Sequence, residues 1–469
     1  MASQKFKTVA VAGAVVSLAA GSGPPAQPSA PPGDSEIKAA LRQRVGPAGP
    51  IPGIVVGILD ETGSRIISAG NFGRPNEGAA DGDTVFEIGS ATKVFTALLL
   101  ADMAGRGKIK LDDPVSKYLP KSVKVPERNG RTITLLDLAT HTSGLPRMPD
   151  NFAPKDPENP YADYTVRQMY DFLSHYALAR DIGAEYEYSN LGAGLLGHIL
   201  ALKAGTNYEA LVLRRICRPL GMTNTQITLS PALKARLATG HNSAGQPVAN
   251  WDIPTLAGAG ALRSTAKDLL KFLAANLNPP KSNLGAAMQL THQARHPAGS
   301  PDMDIGLCWH ISKKYGAALV WHNGGTGGYH SFIGFDPQKK RAVVVLANSA
   351  KSIDDLGFHF LNPAYPLARV EPAKDRVAVA LSPQVLDRYV GRYELAPGVF
   401  FSLRRESDRL MAQLTGQSYL QIFPESETEF FYKAVEAQIT FVKDSQGRVT
   451  GLVLHQNGRD QNARKLQQP

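Results

Sequence analysis

FEIGSATKVFTALLLADMAG, residues 86–105, is the most apolar helix-like run in the 469-residue chain. Ser90 stands at its mouth, and Lys93 follows three residues on, one turn along the same face, which sets a hydroxyl beside an amine. Val94, Phe95, Ala97, Leu98, Leu99 and Leu100 surround that amine with apolar groups. Desolvation disfavours an ammonium and lowers its pKa, so such a lysine can exchange protons near neutral pH. Backbone amides at a helix N-terminus favour negative charge and suit an oxyanion forming beside an attacked carbonyl. The pattern points to a serine nucleophile served by a lysine.

Ser-x-x-Lys is short, and it occurs three times: Ser35 with Lys38, Ser90 with Lys93, and Ser264 with Lys267. Ser35 and Ser264-Thr265 precede mixed or amphipathic helical stretches and read as helix caps. Two remote elements single out Ser90. Tyr188-Ser189-Asn190 lies where a polar turn runs into GAGLLGHILALKAG, and of fifteen tyrosines only Tyr188 has Asn two positions on. His322-Asn323-Gly324 ends an apolar, strand-like run before a glycine cluster, and of eleven histidines only His322 has Gly two positions on.

In this order the three elements resemble those of the serine β-lactamase and penicillin-binding-protein superfamily. The resemblance is closest to its class C β-lactamase, DD-carboxypeptidase and family VIII esterase branch, which is peptidase family S12-like. It extends to LLDLATHTSGLP around His141, GKIKLDDPVSKYLP around Asp112, PLGMTNT around Met222 and GAGALRSTAKDLLKF around Gly260, covering about residues 35–350. The resemblance implies an α+β, β-lactamase/transpeptidase-like fold: an antiparallel sheet flanked by helices, plus a helical lobe. It makes Ser90 the acylated nucleophile, with Lys93 and Tyr188 sharing its proton and returning it to the leaving group. Positive charge from Lys93 and His322 would favour a Tyr188 phenolate or a low-barrier proton transfer through the phenol. Asn190 would hold the substrate amide and orient Lys93. His322, Asn323, Gly324 and Gly325 would form the substrate-side strand, and the N–H groups of Ser90 and Gly325 an oxyanion hole. Water would then hydrolyse the acyl-enzyme. No metal or cofactor is required.

The implied function is a serine hydrolase of β-lactamase or DD-carboxypeptidase type. A carboxylesterase of the same family, and a penicillin-binding sensor that acylates without turnover, are the alternatives. The chain departs from the class C pattern at His322-Asn323-Gly324, where those enzymes carry Lys-Thr-Gly. Lysine supplies a permanent cation for a substrate carboxylate, whereas histidine is mostly neutral above its pKa of about 6.5.

Competing motifs fare poorly. Gly192-Ala193-Gly194-Leu195-Leu196-Gly197 fits GxGxxG but follows a polar turn instead of a strand, so it reads as a close helix-packing surface. No GxSxG elbow occurs, and no histidines fall into HExxH or HxH spacing. His141 reads as a turn residue, since Ser143-Gly144 and Pro146 dominate its surroundings. Cys217 and Cys308 lie in apolar contexts and read as free buried thiols, with one disulfide left open.

With 43% hydrophobic and 20% charged residues, the chain can bury a large core and divide into two folded domains. Its net charge of +10 is spread along the sequence, which argues against nucleic acid as a partner and leaves a small-molecule or peptide substrate. Residues 1–34 read as a signal peptide and a Pro/Gly/Ser linker: Lys5 and Lys7 precede TVAVAGAVVSLAA, too short to span a bilayer but suited to a signal h-region. A periplasmic or secreted protein with no stable membrane span after signal removal follows, an uncleaved anchor or plain tail being the alternative. Residues 35–360 form the hydrolase domain, with strands 53–70, a largely helical middle and strands resuming at ALVWHNG, HSFIGFDP and RAVVVLANS. The irregular stretch RMPDNFAPKDPENPYADYT is either a solvated loop or, by resemblance, a wall of the cleft. A linker, residues 361–380, leads to a small all-β domain over 381–469, read from YVGRYEL, FFSLRRE, RLMAQL, EFFYKA, AQITFVKD and GRVTGLVLHQ. That domain resembles the lipocalin-like modules attached to many such hydrolases.

Overall fold

The computed structural model describes residues 32–45, 51–73, 81–368, 376–396, 399–415, 419–432, 437–456 and 459–466. The expected signal segment through residue 31, and residues 369–375 of the expected linker, lie outside them. The first large assembly is α+β. Its strands are β1 (Gly53–Asp60), β2 (Gly63–Gly70), β3 (His296–Pro297), β4 (Met303–Ile305), β5 (His310–Ser312), β6 (Leu319–Gly325), β7 (His330–Asp336) and β8 (Arg341–Ala347). They pair antiparallel in the order β2-β1-β8-β7-β6-β5-β4-β3.

Cover on both faces of the sheet explains why β1 reads GIVVGILD, a nearly continuous apolar run. Val55 joins one core, whereas Ile54, Val56 and Ile58 join another on the opposite side. Helices α1 (Asp34–Arg42) and α5 (Asp354–Leu361) cover the latter face. The former face carries α4 (Ala266–Leu277) and, beyond it, the helical lobe built around α2 (Thr92–Gly105) and α3 (Asn190–Ala204). Both lobe helices are apolar nearly all round and buried, as helices at the centre of a large core must be.

The GxGxxG stretch serves packing. A Cβ on Gly197 would lie 2.8 Å from the Gly258 Cα, and one on Gly194 would lie 2.6 Å from the Leu256 side chain. Gly197→Val is therefore expected to destabilise the domain by about 1–3 kcal/mol through overpacking, seen as a lower midpoint in chemical denaturation. Thr265 caps α4 by accepting from the Asp268 N–H at 3.2 Å, as the sequence suggests. Ser35 does not cap: Gly33 holds that position and Ser35 lies within the first turn of α1. The short strands β3, β4 and β5 escape a sequence reading because two- and three-residue ladders among prolines and glycines leave no alternation to detect.

The C-terminal strands close into an eight-stranded antiparallel barrel. They are β9 (Gly391–Ala396), β10 (Val399–Glu406), β11 (Arg409–Leu414), β12 (Leu420–Pro424), β13 (Glu429–Tyr432), β14 (Ala437–Lys443), β15 (Val449–Gln456) and β16 (Arg459–Lys465). Tyr393, Phe401, Phe430 and Phe441 fill its interior, and Tyr389 packs with them. Two of these strands have no counterpart in the sequence reading. β12 is five residues ending in Pro424, and β16, RDQNARK, carries one apolar residue, Ala463, which is buried.

Candidate active site

Gly89 turns the chain sharply into the Ser90 helix. Its φ of +48° favours glycine, and a Cβ there would lie 2.8 Å from the Gly325 nitrogen. Ser90 sits in the resulting 3₁₀ turn, Gly89–Ala91, and caps nothing. Its Oγ lies 2.9 Å from the Lys93 Nζ. Lys93 is fully buried, and its Nζ also donates to Asn190 Oδ1 and to the Ala259 carbonyl, both at 2.8 Å. Burial first, and the Arg147 guanidinium second, hold the Lys93 pKa well below its ordinary value. A neutral amine has two N–H groups and one lone pair. Two of its partners are carbonyl oxygens that only accept, which leaves the lone pair for the one partner able to donate, the Ser90 hydroxyl.

Tyr188 is placed by the His141 turn. His141 adopts a left-handed φ of +57°; its carbonyl accepts from the Glu187 N–H at 2.8 Å and its Nδ1 from the Ser189 N–H at 3.1 Å. Its ring packs 4.7 Å from that of Tyr188. The turn reading of His141 therefore holds, with the added task of fixing Tyr188. Ser189 caps α3 through the Gly192 N–H at 2.8 Å, which puts Asn190 in the first helical turn facing Lys93. Tyr188 is partly buried at the cavity wall, its phenol interacts with the Ser90 side chain, and Lys93 Nζ lies 4.7 Å from its ring centre. Burial raises the phenol pKa further than the Ser90 bond lowers it. A resting phenolate, expected above, is therefore disfavoured.

β6 brings the third element against Ser90. A Cβ on Gly324 would lie 2.0 Å from the Ile88 carbonyl oxygen and 2.8 Å from the Ser90 nitrogen, so only glycine fits. Ser331 on β7 ties the same turn down by donating to the Ile88 carbonyl at 2.8 Å. A cavity of about 390 Å³ opens over Ser90, Tyr188, Asn190, Asn323, Gly324 and Gly325. Two sequence candidates, Lys93 and His322, lie beneath the cavity floor and not in its lining. The His322 ring is fully buried, 6.2 Å from the Tyr188 ring. Burial, and then His310, hold its pKa well below the ordinary value, which disfavours a cation at His322. Asn323 lines the cavity, and its side chain is held by Asp354 on α5, to which its Nδ2 donates at 2.6 Å.

Lining residues outside the three motifs include Arg147, Tyr161, Trp251 and His310. The first two belong to the irregular 147–165 stretch, so the cleft-wall alternative for that loop is the one the chain adopts; Tyr161 accepts from Asn190 Nδ2 at 3.4 Å. The backbone of Trp251 is gripped by a buried ion pair, its N–H donating to Glu87 at 3.0 Å and its carbonyl accepting from Arg263 at 2.9 Å. His310 packs 5.1 Å from His322, with a pKa lowered by burial to about 4. None carries a local sequence signal, because each arrives by tertiary contact. Cys217 and Cys308 are free and buried, and burial pushes each thiol up to about 12.

A serine beside a desolvated amine and a phenol, with a strand edge approaching the same turn, is an acyl-transfer arrangement. A family model described as Beta-lactamase matches residues 37–362, and one for a domain of unknown function, DUF3471, matches 375–465. The chain is 35% identical over 283 residues to the D-alanyl-D-alanine-carboxypeptidase/endopeptidase AmpH of Escherichia coli strain K12, spanning 57% of this chain and 72% of that one. It is 28% identical over 372 residues to a Beta-lactamase of Lysobacter lactamgenus, spanning 71% and 90% respectively. A class C beta lactamase structure from Rhodobacter sphaeroides superposes with a TM-score of 0.60 at 25% identity, covering 70% of this chain and 98% of that one. With the match to the family model extending over more than half of its length, the chain belongs to the β-lactamase family of serine hydrolases.

Proposed function

We propose that the chain hydrolyses amide bonds of β-lactams or D-alanyl peptides through an acyl-enzyme on Ser90. The observation that carries this is the contact set of Lys93: Nζ lies 2.9 Å from Ser90 Oγ and donates to two carbonyl oxygens, so that once it is neutral its lone pair is left for the Ser90 hydroxyl. Lys93 takes the Ser90 proton as Oγ attacks the carbonyl carbon. The Tyr188 phenol donates its own proton to the departing nitrogen, and the phenolate so formed recovers a proton from the Lys93 ammonium. Ser90 and Gly325 N–H groups receive the oxyanion. Water then attacks the ester carbonyl, giving one proton to the same relay and releasing Ser90. Asn190 orients Lys93 and the substrate amide. Asn323 and Gly324 line the approach, and His322 acts from beneath, as neutral packing behind Tyr188.

The names of the relatives, β-lactamase and D-alanyl-D-alanine-carboxypeptidase, support this substrate class. Export to the periplasm or the medium fits residues 1–31, and no helix among the described residues is long and apolar enough to cross a membrane.

Intact-mass spectrometry tests the proposal. A cephalosporin or a D-Ala-D-Ala peptide is expected to add one acyl group to the protein and lose it again with turnover. A permanent adduct would mark a sensor, and turnover confined to carboxylic esters would mark an esterase. Tyr188→Phe is expected to slow acylation by amides about 10²–10⁴-fold. p-Nitrophenyl esters should suffer far less, because their leaving group departs without a proton. Equal loss on both substrates would remove the relay role from Tyr188.

A further inference from the structure

The third motif leaves a gap in charge. A substrate carboxylate needs a cation, yet His322 is buried and absent from the lining, and His310 is held neutral. No aspartate, glutamate or lysine is among the described residues lining the cavity, and Arg147 is the single charged side chain there. Its backbone carbonyl accepts from the Asn190 and Leu191 N–H groups at 3.0 and 3.2 Å, which pins it to the start of α3 whatever its side chain does. Its guanidinium carbon lies 5.1 Å from the Tyr188 ring centre, a cation–π contact. Among the described residues, no carboxylate pairs with that guanidinium. A planar, permanently charged fork left in this state beside a reacting phenol matches a carboxylate by shape as well as charge.

We propose that Arg147 is the carboxylate-recognising residue of this site and selects substrates whose departing amine carries an α-carboxylate. The inference rests on the Ser90 reading above and narrows its substrate class. Tyr188 faces the departing nitrogen in that reaction, so an anion within reach of Arg147 belongs to the leaving fragment. A C-terminal amino acid has its carboxylate one carbon from that nitrogen, and so does a bicyclic β-lactam. The site is then an exopeptidase or β-lactamase site: an internal peptide bond, or a C-terminal amide, presents nothing for the guanidinium to hold.

The test compares kcat/KM on an N-acyl-D-Ala-D-Ala peptide with that on its C-terminal carboxamide, and on a cephalosporin with that on its carboxyl methyl ester. Wild type is expected to favour the free acids by about 10–100-fold, the worth of a charge-assisted hydrogen bond or pair of bonds. Arg147→Gln should shrink that preference to about threefold or less, and Arg147→Lys should restore part of it. A merely structural role would lower both members of each pair alike and leave the ratio untouched, overturning the assignment. A wild-type ratio near one, or inactivity on both pairs, would overturn it as well. Failure of the underlying reading looks different: Ser90→Ala would then retain hydrolysis of both members.

Discussion

Ser90→Ala is expected to abolish turnover of a cephalosporin, a D-Ala-D-Ala peptide and a p-nitrophenyl ester together, lowering kcat by about 10⁴-fold or more. The hydroxyl is the atom that Lys93 Nζ contacts at 2.9 Å, and alanine supplies nothing for a carbonyl to bond with. The variant should fold normally, because Ser90 caps no helix and the turn is held by Gly89, by Gly324 and by the Ser331 hydrogen bond to Ile88. Unchanged circular dichroism with no acyl adduct by mass is the expected pair of results. Residual hydrolysis of any one substrate at the wild-type rate would place the nucleophile elsewhere.

Lys93→Ala should slow acylation by about 10²–10⁴-fold, the usual contribution of a positioned general base. Its pH profile is the sharper reading. In the proposed reaction the working form is the neutral amine, whose conjugate acid has a pKa depressed first by burial and then by Arg147. Activity is therefore present above that pKa and lost as pH falls through it. Removing the lysine should erase this acidic limb. Arg147→Gln should instead move it to higher pH, because a neighbouring positive charge no longer opposes protonation. A limb that survives in Lys93→Ala would belong to another group and would count against lysine as the base.

The sequence made Ser90, Lys93, Tyr188 and Asn190 legible because local rules place them: a turn into an apolar helix, and a polar turn capped by Ser189. The central strands were legible for a similar reason, since runs such as RAVVVLA allow little but a strand buried on both faces. The depth of His322 was not legible, because motif order says nothing about how far a strand side chain is buried: its ring lies fully buried 6.2 Å from that of Tyr188, while the Asn323 side chain is tied to Asp354 on α5. Arg147 and Trp251 were invisible for a different reason. One depends on a backbone bond to the start of α3, and the other on an ion pair between Glu87 and Arg263, residues remote from each other in sequence. The barrel was read as all-β from six strands, and the two missed ones are those whose composition carries almost no alternation.

Because the C-terminal strands run full circle, first to last, through the β9–β16 ladder, the barrel among the described residues has no end strand left unpaired on one side. Stray chains find nowhere to zip on, so an appendage rich in Phe and Tyr can accompany the enzyme without seeding clumps during synthesis.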